Sequence, residues 1–357
     1  MSEKDAKTIG IIGGGQLGRM LAMAAAHLGR RVVILDPQAE APAFQCANEH
    51  IVAAFDDADA LSKLAQMSDV ITYEFENVNV DALRKLESTS DCHPNTKALS
   101  TSQDRLVEKT FFRELGIGTA PFFDIDSITT LEVCLKETNH RGILKTRRMG
   151  YDGKGQVRIS DKDPDWMMNC KELIENAPCI LEGFVDFDRE ISIIAARDKN
   201  GRIEAFDVGE NVHKNGILYT TTVPADVSDN TRSSAYNIAE KVLSALDYVG
   251  VIGIELFVMN NGELIANEFA PRVHNSGHWT EAACLTSQFE QHIRAVSGLP
   301  LAKTTRHSNC VMQNLIGDEV NQAIEILKRQ DTLLHLYGKA ESRPGRKMGH
   351  FTTLHEK

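Results

Sequence analysis

Long apolar runs are absent from this 357-residue sequence. No stretch approaches the ~18 apolar residues of a membrane span. The opening Met1-Ser-Glu-Lys-Asp5 is polar, so neither a membrane segment nor a signal peptide is expected. Basic charge is also short: 39 Lys and Arg against 50 Asp and Glu leave a net charge of −11. Nonspecific nucleic-acid binding needs a basic surface to meet phosphates, so that class is set aside. A small anionic ligand in a locally basic pocket is not. The seven cysteines (46, 92, 134, 170, 179, 284 and 310) show no Cys-x-x-Cys and no zinc-type spacing. Scattered and odd in number, they predict reduced thiols in a cytoplasmic protein.

What is present is ordinary for a globular chain, 42% hydrophobic and 25% charged, and long enough for two or three domains. Residues 8–12 and 32–35 have the apolar runs of buried parallel strands. Between them Leu17, Met20, Leu21, Ala24, Ala25 and Leu28 keep helical spacing, with Gly29 as a stop. A strand at 69–75 follows another helical stretch, so the alternation predicts a doubly wound α/β unit to about residue 100. After a helix near 103–115, short strand patterns recur at 143–146, 156–159, 179–185 and 190–194 and continue to 222. A helix at about 231–246 then precedes a hairpin. This segment is expected to be α+β and dominated by antiparallel pairs. Residues beyond about 299 are mixed and end in a basic stretch.

The hairpin holds the most informative pair. Val251–Met259 and Glu263–Phe269 flank Asn260-Asn261-Gly262, and Asn-Gly between two β-rich runs is the strongest short hairpin signal. With Asn261-Gly262 as a two-residue loop, counting back opposes Glu255 and Glu268. Opposed side chains share one face with Cβ atoms roughly 4.5–5.5 Å apart, and like charges there destabilise the pair. A divalent cation resolves the conflict, because Mg²⁺ is usually held by one or two carboxylates plus phosphate oxygens. A solvated acidic edge, or a hairpin slipped by one residue, is the plainer alternative.

Four further segments carry polar chemistry. Gly13-Gly-Gly15-Gln-Leu-Gly18 fits Gly-x-Gly-x-x-Gly between a strand and a helix, and Asp36 lies 18 residues beyond it. That is a dinucleotide fingerprint on paper; the alternative is a tight turn that only lets helix and strand approach. Nothing downstream resembles a hydride-transfer site. Gly150-Tyr151-Asp152-Gly153-Lys154-Gly155-Gln156 follows Lys145 and Arg147-Arg148. Its glycines let backbone N–H groups wrap phosphate oxygens, although a plain glycine hairpin reads equally well. It is not a Walker A loop, because Gly155 stands where Ser or Thr is required. Pro271–Trp279 packs Arg272, His274, Asn275, Ser276 and His278 into a donor-rich loop next to the acidic hairpin, a substrate contact or else a polar turn. Tyr337-Gly-Lys339 and Arg343-Pro-Gly-Arg346-Lys347 form a basic cluster, either a phosphate partner's site or a solvated face.

Taken together, several segments resemble one family. Gly15-Gln-Leu-Gly-Arg-Met20, Tyr73-Glu-Phe-Glu-Asn77, Gln103-Asp-Arg105 with Lys109, the 150–156 loop, Asn267–Trp279 and Arg343–His350 occur in order. They are similar to those of the N5-carboxyaminoimidazole ribonucleotide synthases, ATP-grasp ligases of bacterial and fungal purine synthesis, over nearly the whole chain. The resemblance implies an ATP-grasp fold: a doubly wound, Rossmann-like α/β domain at 1–102, an α+β ATP-grasp domain at 103–298 and a small C-terminal domain at 299–357. It also implies a homodimer.

The implied reaction joins ATP, bicarbonate and 5-aminoimidazole ribonucleotide to give N5-carboxyaminoimidazole ribonucleotide, ADP and phosphate. Carboxyphosphate would form first and then either meet the substrate amine or release CO₂ in a closed site. By motif, ATP would touch Arg105, Lys145, Gly150–Gln156, Glu182, Gly183, Phe184, Val185, Glu190, His213, Asn267 and Glu268. Residues 182–185 would be the adenine-side hinge, and Glu190 would take the ribose hydroxyls. Glu255 and Glu268 would hold Mg²⁺, in agreement with the hairpin count. Arg272, Lys339 and Lys145 would be the catalytic cations. Tyr151, Asp152, Lys154, Arg272, His274, Asn275, Ser276, Lys339 and Arg346 would bind the ribonucleotide, with Lys339 and Arg346 on its phosphate. Gln16 and Glu76 would close the pocket from the first domain. One departure is Ala270, which stands where many ATP-grasp enzymes place a metal-binding asparagine.

Overall fold

The computed structural model describes residues 7–150, 155–160 and 165–357. Its first sheet is parallel, in the order β3-β2-β1-β4, built from β1 (Thr8–Ile12), β2 (Arg31–Asp36), β3 (Glu49–Val52) and β4 (Val70–Tyr73). The near-continuous apolar runs of β1 and β2 are what a sheet covered on both faces demands. The helix Gln16–His27 buries Leu17, Met20, Leu21 and Ala25, and Gly29 leaves it with φ +69°. That apolar stripe shares a core with Trp279, Phe289 and Ile293. The helix Gln288–Val296 is thereby locked onto the first domain, with each fully buried aromatic or aliphatic side chain contributing about 1.5–3 kcal/mol.

Four antiparallel strands form a second sheet in the order β5-β8-β6-β7: β5 (Phe122–Ile125), β6 (Gly142–Thr146), β7 (Gln156–Ile159) and β8 (Cys179–Gly183). The expected strand at 179–185 stops at Gly183, which leaves Phe184 and Val185 beyond the sheet.

The third sheet has nine strands: β9 (Arg189–Arg197), β10 (Ile203–Ala205), β11 (Gly209–Lys214), β12 (Ile217–Val223), β13 (Gly250–Val258), β14 (Leu264–Ala270), β15 (Asn309–Ile316), β16 (Thr332–Leu336) and β17 (Lys347–His355). Its main path is β14-β13-β9-β11-β12-β15-β17-β16, with β10 on β9, and every pair is antiparallel. Because β12 pairs with β15, the sheet runs on without a break into the C-terminal segment. The helices Arg105–Glu114 and Asp229–Ala245 cover one face, placing Phe112, Ala239 and Val242 against Ile193, Ile252 and Ile254.

Candidate active site

Glu255 and Glu268 are directly opposed on β13 and β14, as counted, but by a different route. Gly262 adopts φ +83°, Gly262 N–H donates to Met259 (2.7 Å) and Met259 N–H to Glu263 (2.9 Å). The loop is therefore the three residues 260–262, a turn followed by a left-handed glycine. That shifts the register by one residue, and a bulge at Asn267 shifts it back: Leu256 faces Ala266, yet Glu255 faces Glu268. The bulge also turns the Asn267 carbonyl toward Lys109, whose Nζ lies 2.5 Å away.

The two carboxylates differ in environment. Burial and the charge of Glu268 push the Glu255 carboxyl above its ordinary range, with His213 opposing. Desolvation would raise Glu268 too, but Arg105 and Lys145 outweigh it and hold the group down. Glu108, beside them, is pushed up to about 8 by burial and by Glu268, and its Oε1 accepts the Phe269 N–H at 2.8 Å. An all-oxygen pair whose members resist ionising together fits a hard divalent cation.

Cations frame this pair from the helix Arg105–Glu114. Asp104 caps that helix by accepting the Leu106 N–H, and it also takes Nε and Nη2 of Arg147 at 3.0 and 2.8 Å. Arg105 then sits at the first helical position, with Nη1 3.1 Å from Glu268 and Nη2 3.3 Å from the Gly150 carbonyl. One turn further, fully buried Lys109 lies 3.3 Å from Glu182, and Lys145 on β6 reaches the other oxygen of Glu182 at 3.1 Å. Burial alone would raise Glu182; Lys109, Lys145 and Arg105 instead hold it at about 2. Burial lowers Lys145 despite its partner. The Glu182 side chain thus organises the two lysines. Phe184 lies under two guanidiniums, Arg141 at 4.7 Å and Arg158 at 4.6 Å.

Glu190 and His213 form an ion pair at 2.5 Å. Enclosure would lower His213, but the Glu190 carboxylate keeps it above the usual histidine range. Arg272 pairs with Glu76 across the domain boundary. His274 Nε2 lies 3.6 Å from Glu255 and Nδ1 lies 2.8 Å from Ser276 Oγ, while burial and Arg272 push the ring down to about 3. Gln288 clamps His274 through both its N–H (2.9 Å) and its carbonyl (2.7 Å). The Asn275 amide is buried, and neither of its polar atoms has a partner among the described residues.

A cleft gathers many of these groups: Glu76, Arg105, Gly150, Glu268, Arg272 and His274 line it, together with Gln103, Glu108 and Arg147. Tyr151, Asp152, Gly153 and Lys154 lie outside the described residues, while Gln156 opens β7 and is exposed. Gln16 opens its helix and does not line the cleft. Lys339 Nζ donates to the Lys347 carbonyl at 2.7 Å, and Arg346 donates to the Glu341 carbonyl at 3.0 Å. Lys347 is the basic-cluster cation whose charge reaches Glu255, His213 and His274. Glu108 and Gln288 were not singled out from sequence, and Lys347 and Lys109 were noted without a specific role. Arg105, Glu108 and Lys109 keep the i, i+3, i+4 spacing of one helix face, a signal that was available.

The glycine-rich turn is filled by the protein itself. Glu74, just past β4, accepts the Gly15 and Gly18 N–H groups at 2.6 and 2.8 Å, and Asp36 accepts that of Gly14 at 2.7 Å. The helix N-terminus that would hold pyrophosphate already holds a carboxylate, and the acid expected on a ribose is spent on the turn.

An antiparallel ATP-grasp region with two lysines, an arginine and a facing carboxylate pair defines an ATP-grasp ligase. The family model of the ATP-grasp domain matches residues 110–289, that of the ribonucleotide synthetase preATP-grasp domain 6–103, and that of the phosphoribosylaminoimidazole carboxylase C-terminal domain 310–357. The N5-carboxyaminoimidazole ribonucleotide synthase of Brucella melitensis is 60% identical, with 99% of this chain and 98% of that protein covered. The crystal structure of the Staphylococcus aureus synthetase with ADP superposes with TM-score 0.94 at 38% identity, covering 98% of this chain and 94% of that one. The Aspergillus clavatus synthase, solved with ADP and 5-aminoimidazole ribonucleotide, gives 0.92 at 30% identity, covering 99% and 95%. The chain belongs to the N5-carboxyaminoimidazole ribonucleotide synthase family.

Proposed function

We propose that this protein uses ATP to carboxylate 5-aminoimidazole ribonucleotide with bicarbonate, giving N5-carboxyaminoimidazole ribonucleotide, ADP and phosphate in purine synthesis. The observation that carries the reading is the facing of Glu255 and Glu268 within the frame of Arg105, Lys109 and Lys145. A bicarbonate oxygen bonds to the γ-phosphorus as the bond to the bridging oxygen breaks and ADP leaves. The amine nitrogen then attacks the carboxyl carbon, directly or as CO₂, while phosphate departs and the amine loses a proton. Mg²⁺ held by Glu255 and Glu268 would neutralise phosphate charge as it shifts toward the leaving oxygen.

The remaining work belongs to the chain's own groups. Lys145, pre-aimed by Glu182, and Arg105 meet the phosphates, and donors fixed before reaction lower the barrier without reorganising. Arg272, held by Glu76, and the neutral His274 border the reacting end. Residues 183–185 and Glu190 take the nucleoside. Tyr151, Asp152, Lys154, Asn275, Ser276, Lys339 and Arg346 take the ribonucleotide, with Lys347 adding positive charge close to the carboxylates. A homodimer in the cytoplasm belongs to the same reading. The test is ADP release with Mg-ATP, bicarbonate and the ribonucleotide, leaving out each in turn. Release that needs the ribonucleotide and yields a carboxylated product supports the proposal; release indifferent to it refutes the proposal.

A further inference from the structure

His335 on β16 and His350 on β17 are directly opposed, so their side chains share one sheet face. Their rings stack with centroids 5.4 Å apart. Glu281, on the short helix Thr280–Ala283 that follows the donor-rich loop, turns one oxygen to both. Its Oε2 lies 3.1 Å from His335 Nδ1 and 3.5 Å from His350 Nε2. Among the described residues, one ring nitrogen from each histidine and a Glu281 oxygen all fall within 4.8 Å of one another.

A hydrogen-bonded clamp explains the shorter of these contacts but not the longer, since an N–H···O bond weakens beyond about 3.2 Å. A tetrahedral ion explains both. Bonds of about 2.0–2.1 Å to imidazole nitrogen and carboxylate oxygen put neighbouring ligand atoms about 3.3–3.4 Å apart, between the two observed separations. The surroundings fit as well. Tyr337 Oη lies 2.9 Å from His350 Nδ1, so that nitrogen has an outer partner and Nε2 is left to ligate. His278, fully buried 4.6 Å from the His350 ring, is held through Nδ1 by Gln288, and its Nε2 has no partner among the described residues. Side-chain exposures of 19% for Glu281 and 11% for His335 leave a way in, while His350 at 2% closes the floor.

We propose that Glu281, His335 and His350 form a second metal site, for a zinc-type transition ion with water in the fourth position. It is separate from the carboxylate pair and ties the substrate loop's trailing helix to β16 and β17. Nitrogen ligands select such an ion over Mg²⁺, which prefers oxygen.

The full chain, stripped with a chelator and kept in excess Mg²⁺, is titrated with Zn²⁺ and, separately, with Co²⁺, whose tetrahedral complexes absorb strongly in the visible. One Zn²⁺ retained per chain and a tetrahedral Co²⁺ spectrum are expected. Affinity should fall about tenfold or more in Glu281→Gln and His335→Gln, at unchanged circular dichroism, and persist in Glu268→Gln. Failure of the unmodified protein to retain Zn²⁺ or to give the tetrahedral spectrum overturns the proposal. So does full retention in Glu281→Gln, or loss in Glu268→Gln.

Discussion

Replacing Glu182 by Gln tests whether the lysine frame is held by one buried carboxylate. The group is 5% exposed and sits between Lys109 and Lys145. A carboxyl held at about 2 rather than at its ordinary 4.5 carries about 3 kcal/mol of folded-state stabilisation at neutral pH. Breaking a buried ion pair by removing one partner costs about 3–5 kcal/mol, which agrees. Because the folded value is depressed, this stabilisation is present above the unfolded value near 4.5 and drains away as the pH falls to about 2. The assay is urea unfolding of wild type and Glu182→Gln across that range. At neutral pH the midpoint should fall by about 1 M, taking a slope of about 3 kcal/mol per molar. The gap should close toward the acid end, where wild type loses the same charge. A neutral-pH difference under about 1 kcal/mol, or a gap that persists in acid, would refute the reasoning.

Glu268→Gln removes one of the facing carboxylates and the partner of Arg105, so phosphate release should be abolished at unchanged circular dichroism; normal turnover would sink the metal assignment. Glu76→Gln weakens the contact that aims Arg272. A charge-assisted bond contributes about 1.5–3 kcal/mol, so kcat/KM for the ribonucleotide should fall about tenfold to a hundredfold while the KM for ATP stays put. Glu74→Ala strips the acceptor from two glycine amides, which should lower stability by about 1–3 kcal/mol in urea unfolding; a variant as stable as wild type would contradict the self-filled turn.

What the sequence made legible was set by local rules. The 3.6-residue stripe and Gly29 placed the first helix, and Asn-Gly between two β-rich runs placed the hairpin. The Glu255–Glu268 pairing came out right because two departures cancelled, the longer loop at 260–262 and the bulge at Asn267. A bulge is invisible to residue counting, since it depends on what the strand packs against, here Lys109 from a helix far away in sequence. The same limit hid Glu74. It reaches the glycine turn only because the sheet order sets β4 beside β1, across 59 residues of sequence from Gly15. The pairing of the Glu182 side chain with two lysines was hidden in the same way, since Lys109 and Lys145 come from separate elements. Gln288 and the Glu281–His335–His350 group are assemblies of distant segments, with no spacing to betray them.

The most direct measurement follows oxygen rather than rate. Bicarbonate labelled with heavy oxygen is turned over with unlabelled ATP and the ribonucleotide, and the released phosphate is analysed by mass. Attack by bicarbonate on the γ-phosphorus leaves one labelled oxygen in each phosphate formed, as the account predicts. Unlabelled phosphate, at full ribonucleotide carboxylation, would mean that bicarbonate is not the phosphoryl acceptor and that the site does not work as described.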